Sequence, residues 1–155
     1  MRKQFVRTTE DVMAKDERLV VLLGDIGVFG FRSAFEQFPA RIYNIGICEQ
    51  AMTSLAAGLS KEGLVPVVHS IAPFVVERCF EQIKVDFCYQ KLGGNIVSVG
   101  GSYDYAALGC THHCPGDWQS CARCPAWKSS CPEHRRNTTS FSVPPTPTVS
   151  QLTSA

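Results

Sequence analysis

Residues 44–70 read NIGICEQAMTSLAAGLSKEGLVPVVHS, and their order decides the fold. A short polar corner with one glycine comes first. Ile47–Gly58 then places Met52, Leu55, Ala56 and Leu59 at helical spacing. Leu64–Ser70, LVPVVHS, is a short apolar run suited to a strand. Upstream, Arg18–Gly24, RLVVLLG, is a continuous apolar run ending in glycine, the pattern of a strand buried on both faces. Arg41–Ile45, RIYNI, is a second strand candidate. Downstream, a helix is expected from Pro73, a favoured first helical residue, with Val76, Phe80, Ile83 and Phe87 as one stripe. Gly93–Gly94 closes that unit, and Asn95–Val99, NIVSV, is a fourth strand. Strands separated by helix-length segments imply crossover connections. The expected class is α/β, a mostly parallel sheet with helices on both faces.

The polar residues cluster where these strands end. The first strand runs into Asp25, the second into Asn44–Gln50, the third into His69–Ser70, and the fourth leads to Gly109–His113. In open parallel sheets, ligands bind at this edge. Each residue has a local explanation: Asp25 as a turn residue, Glu49 as a carboxylate favoured at a helix N-terminus, His69 as a hydrogen-bonded core histidine. Their joint placement favours a site.

A chain of 155 residues with net charge +1 has room for one core-bearing domain, and nothing in it favours nucleic acid or a membrane as partner. The opening MRKQFVRTTEDVM has basic residues but no apolar run behind them, so no secretion signal is expected and the chain reads as cytoplasmic. In a reducing compartment, Cys48, Cys79 and Cys88 are expected to act as small buried hydrophobes.

NIGICEQAMTSLAAGLSKEGLVPVVHSIAPFVVERCFEQIKVD, followed by SYDYAALGCTHH, resembles the pyrimidine-binding (Pyr) domain of the transketolase family. The resemblance is closest to the C-terminal subunit of split bacterial transketolases, extends to 1-deoxyxylulose-5-phosphate synthase, and covers roughly residues 4–117. It implies thiamine diphosphate as cofactor and two-carbon ketol transfer between sugar phosphates as the reaction. The cofactor carries the electron-sink chemistry, and its own 4′-amino group removes the thiazolium proton when a glutamate bonds N1′ of the pyrimidine. Glu49 matches that glutamate. The resemblance further implies cofactor contacts from Asp25, Gly46, Ile47 and Gln50, aromatic packing from Phe74 or Phe80, and a substrate-facing histidine at His112 or His113, with His69 beside them. His112 joins Glu49 as the expected catalytic pair.

The family binds diphosphate and Mg²⁺ on a separate PP domain through a Gly-Asp-Gly motif. Here Gly24-Asp25 and Gly116-Asp117 both lack the second glycine. The magnesium ligands are therefore expected on a partner chain, with no metal on this one, and the functional unit is a homo- or hetero-oligomer. An isolated chain is expected to be inactive. A non-catalytic fragment that binds a partner subunit is one alternative, and a small zinc-binding protein built on the Cys/His tail is another.

Residues 118–155 break the pattern. Cys121, Cys124, Cys131 and His134 form two x₂ pairs of zinc-ligand type, although the loop between the pairs is short. NTTSFSVPPTPTVSQLTSA, residues 137–155, has the composition of a disordered tail. A third reading is a lost base. Read one base out of register after Asp117, the codons accommodate D-V-A-V-L-R-A-L-P-G-M-E-I-V-V-P-G-T-P. That is helix, turn, strand and Pro-x-x-Pro, the continuation such a domain needs. The order of these motifs favours the third reading. It makes 1–117 an incomplete Pyr domain truncated at its C-terminal end, with a disordered tail and an uncovered sheet edge.

Overall fold

The computed structural model describes residues 2–122, 128–130 and 138–143. The helix α1 (Arg2–Lys15) leads into β1 (Leu19–Leu23), whose five residues are all buried. A short turn of 3₁₀ helix and α2 (Arg32–Gln37) precede β2 (Ile42–Asn44). Then come α3 (Glu49–Lys61) and β3 (Val65–Ile71). A helical segment follows, made of a π turn at Pro73–Glu77, the single turn α4 (Phe80–Gln82) and a second π stretch at Ile83–Tyr89. It returns the chain to β4 (Gly94–Val99).

These strands lie in the order β2-β1-β3-β4, all parallel, as the apolar runs predict. Strand alternation divides the core in two. Val20, Leu22, Val68 and Ile96 face α3 and the π-helical segment, packing on Met52, Ala56, Val76, Ile83 and Phe87. Leu19, Val21, Leu23, Val67 and Val97 face α1 and α2, packing on Phe5, Met13, Phe31 and Ala34. Helices therefore cover both faces.

Several details differ from the sequence reading. The buried face of α3 is Glu49, Met52, Thr53, Ala56 and Ala57, and Leu55 is 46% exposed. Small side chains let α3 lie close to the sheet, and Thr53 satisfies its hydroxyl on the Glu49 carbonyl at 2.8 Å. Cys79 is buried as expected, Cys88 is half-buried, and Cys48 is exposed because it sits in the corner just before α3. The uncovered edge is also corrected. After α5 (Asp117–Ala122), β5 (Lys128–Ser130) and β6 (Thr138–Val143) extend the sheet, with β6 antiparallel to β4 from Gly94↔Val143 to Val99↔Thr138. Pairing supplies the hydrogen bonds that a free β4 edge would lack. The side chains of the zinc-type quartet, and residues 144–155, lie outside the described residues.

Burial pushes the Cys79 thiol up to about 11, opposed by a hydrogen bond with Thr53. Alkylation of the native protein, followed by peptide mass mapping, is expected to label Cys48 and Cys110 readily and Cys79 only after unfolding. Equal labelling of all three would contradict the packing around Cys79.

Candidate functional site

Glu49 opens α3 at the carboxyl edge of the sheet and is 1% exposed. A buried carboxylate needs partners, because desolvation costs several kcal/mol when it is unpaired. Both oxygens have one. The Ser70 hydroxyl donates to Oε1 at 3.0 Å, and Arg78 Nη1 donates to Oε2 at 2.8 Å. Ser70 ends the α3-facing row of β3. Gly24 allows its approach, since a Cβ there would stand 3.0 Å from Ser70 Oγ and 3.2 Å from Met52 Cε.

Arg78 reaches Glu49 from the π turn. Its amide donates to the Pro73 carbonyl at 3.0 Å, the five-residue span that defines a π turn. The same turn sets its guanidinium over the Phe74 ring, 4.3 Å from the centroid. Phe74 meets His112 edge-on at 5.2 Å, and His112 meets Tyr105 at 6.1 Å. Arg2 donates to the Tyr105 hydroxyl from α1. One chain of contacts thus runs Glu49, Arg78, Phe74, His112, Tyr105, Arg2. Gly100 seats the loop that carries it. Its φ is +70°, and an added Cβ would fall 2.0 Å from Tyr105 Cε2, so only glycine fits.

The other expected residues divide. His113 packs on Tyr103 at 5.1 Å, and its buried Nε2 has no hydrogen-bond partner. Phe80 packs against the α3-side core, leaving Phe74 as the ring beside the carboxylate. Asp25 holds the corner: its amide donates to Asn44 Oδ1 at 3.0 Å, and Asn44 Nδ2 donates back to its carboxylate at 3.0 Å. The Gly46 amide donates to the same Asn44 oxygen at 3.1 Å. Ile47, 69% exposed, and Gln50 project outward.

His69 points to the opposite face from Ser70. Its Nδ1 lies 2.7 Å from the Val97 carbonyl, which can only accept, so Nδ1 carries the proton. The ring packs on Phe5 at 4.8 Å and borders a cavity of about 310 Å³ lined by Arg2, Phe5, Ile26, Gly27 and Phe31 among others. Among the described residues, no group of three or more His, Cys, Asp or Glu could hold a metal ion, and no helix is long and apolar enough to cross a membrane. Sequence reasoning placed Ser70 at the strand ends without a role and missed Arg78, Tyr105 and Arg2 as site residues. The run PFVVERCFEQI contains Arg78, but its contact with Glu49 joins residues 29 positions apart.

The family described as Transketolase, pyrimidine binding domain matches residues 1–141. An uncharacterized 33.6 kDa protein in the fasciation locus of Rhodococcoides fascians is 42% identical over 130 residues, covering 84% of this chain and 42% of that protein. An apulose-4-phosphate transketolase subunit of Phocaeicola vulgatus is 34% identical over 113 residues, covering 72% of this chain and 36% of that one. A solved split gene transketolase, described as an inactive beta4 tetramer, superposes with TM-score 0.69 at 29% identity, over 81% of this chain and 40% of that one. The chain therefore spans less than half the length of these relatives.

Burial lowers the His69 imidazole from 6.5 to about 4, against the raising effect of its bond to Val97 and with a further lowering from Arg2. Between those values the unfolded chain binds a proton that the folded chain does not. This contribution to stability is flat above the unfolded value, falls as pH drops through the window, and levels off below about 4. The loss is on the order of 3 kcal/mol. Urea unfolding across this range should show it, and His69→Gln is expected to remove this part of the slope.

Proposed function

Because the chain belongs to the transketolase pyrimidine-binding domain family, we propose that it holds the aminopyrimidine half of thiamine diphosphate at Glu49 and serves two-carbon ketol transfer between sugar phosphates. The observation that carries this reading is a carboxylate buried to 1% exposure at the start of α3, with an aromatic ring beside it at the carboxyl edge of a parallel sheet. When bound, the cofactor supplies the nucleophilic carbon and the electron sink.

The residues fit one half of that group. Glu49 offers the acceptor a ring nitrogen needs, Ser70 fixes the carboxylate's rotation, and Phe74 gives an apolar face. His112 meets Phe74 edge-on, and in this reading it exchanges a proton with a substrate hydroxyl. Arg2, joined to Tyr105 and lining the cavity beside His69, supplies a cation suited to a phosphate. Asp25 and Asn44 shape the corner before Glu49 through their reciprocal bonds. Nothing comparable serves the diphosphate or Mg²⁺ among the described residues, so we assign those to a PP-domain partner chain.

A second reading is a subunit that assembles without catalysing. It draws on the solved relative described as an inactive beta4 tetramer. The two are separated by mixing the chain with a PP-domain subunit, Mg²⁺ and thiamine diphosphate and measuring ketol transfer. In that mixture Glu49→Gln, which keeps shape and loses the charge, is expected to lower the rate by at least about 100-fold with unchanged circular dichroism. A mixture that forms a complex but shows no turnover would favour the assembly reading. Full rate in Glu49→Gln would overturn the assignment of Glu49.

A further inference from the structure

Glu49 is more fully occupied than an acceptor waiting for a ring nitrogen needs to be. Ser70 holds Oε1 from within the core and offers no way in. The solvent-facing partner is Arg78, whose side chain is 38% exposed while that of Glu49 is 1% exposed. Its guanidinium also lies over Phe74, the ring against which a pyrimidine would pack. One side chain thus covers both the acceptor and the aromatic face. No other ion pair holds Arg78 among the described residues, and it projects from a π turn, a distortion frequent at functional sites.

We propose that Arg78 is the gate over the Glu49 carboxylate. Its guanidinium closes over the carboxylate and Phe74 in the unliganded chain and swings to solvent when a ring nitrogen takes its place at Oε2. Arg78 is then a positioning residue. It keeps the buried charge compensated while the pocket is empty, so the site stays folded without ligand. It also selects for ligands that can replace a charge-assisted hydrogen bond and an apolar stacking contact together. An aromatic heterocycle with an N–H donor at its edge does both; an alkyl ammonium supplies only the first.

This rests on the cofactor reading only for what displaces the gate, and the two can be tested apart. Carbodiimide with a small amine, followed by peptide mass spectrometry, reports access to Glu49 in the whole chain. Wild type is expected to be protected. Arg78→Met is expected to raise the modification rate at Glu49 by about tenfold or more, the factor by which losing one charge-assisted hydrogen bond shifts an opening equilibrium. Arg78→Lys, which keeps the cation, is expected to restore much of the protection, and circular dichroism checks that each variant is folded. Glu49 as unreactive in a folded Arg78→Met as in wild type would overturn the gate. If Arg78→Met proves unfolded, Arg78→Gln decides by the same rate. The opened variant, mixed with a PP-domain subunit and Mg²⁺, is then compared with and without thiamine diphosphate. Renewed protection supports the heterocycle as the displacing ligand; none, with the gate established, would overturn the cofactor reading and leave the gate standing.

Discussion

The pairing of one buried carboxylate organises the carboxyl edge of this sheet. An unpaired Glu49 would destabilise the fold by several kcal/mol, so its partners constrain everything around them. Its place in the first turn of α3 gives it a favourable helix dipole. Ser70 must arrive at the end of β3, which requires glycine at position 24 opposite it. Arg78 arrives from the end of the π turn that follows β3. Three elements separated in sequence are thus fixed relative to one another by two oxygen atoms.

The alternation of β3 divides labour between the faces. Ser70 points to α3 and bonds the paired carboxylate; His69, one residue earlier, points to α1 and is held neutral. Because Nδ1–H is committed to the Val97 carbonyl, the Nε2 lone pair is left facing Gly27 at the cavity wall. The same pleat therefore places an anion on one side and a neutral acceptor on the other. Arg2 and Tyr105 connect the two sides around the strand ends, which is why α1 belongs to the site as well as to the core.

The strands were legible because parallel strands buried on both faces are continuous apolar runs. β1 and β4 lie within the segments those runs mark, to within a residue, and β3 likewise. That Glu49 opens a helix at the strand ends was legible because its block sits between two strands, while its role was implied only by the family resemblance. The rest was hidden for specific reasons. The buried positions of α1 are Phe5, Thr8, Thr9 and Met13, half of them polar, so its buried face does not announce itself. Counting apolar residues put Leu55 inside α3, where close approach instead selects Ala56 and Ala57. The π turn at Pro73–Glu77 was also hidden, because helical counting from Pro73 assumes 3.6 residues per turn. The stripe of Val76, Phe80, Ile83 and Phe87 still faces the core, and Phe74 lies four residues before Arg78, the spacing at which helical side chains meet.

The same turn ties the site to the segment where the sequence pattern changes. α5 begins at the buried Asp117 and packs on Pro73–Glu77. The π turn is therefore supported from outside by the first turn of whatever follows Asp117. The β4 edge is less demanding. It accepts β6 antiparallel, with no crossover connection, because pairing there asks only for extended backbone in register. A change of sequence after residue 117 thus bears on the site through α5 rather than through the sheet.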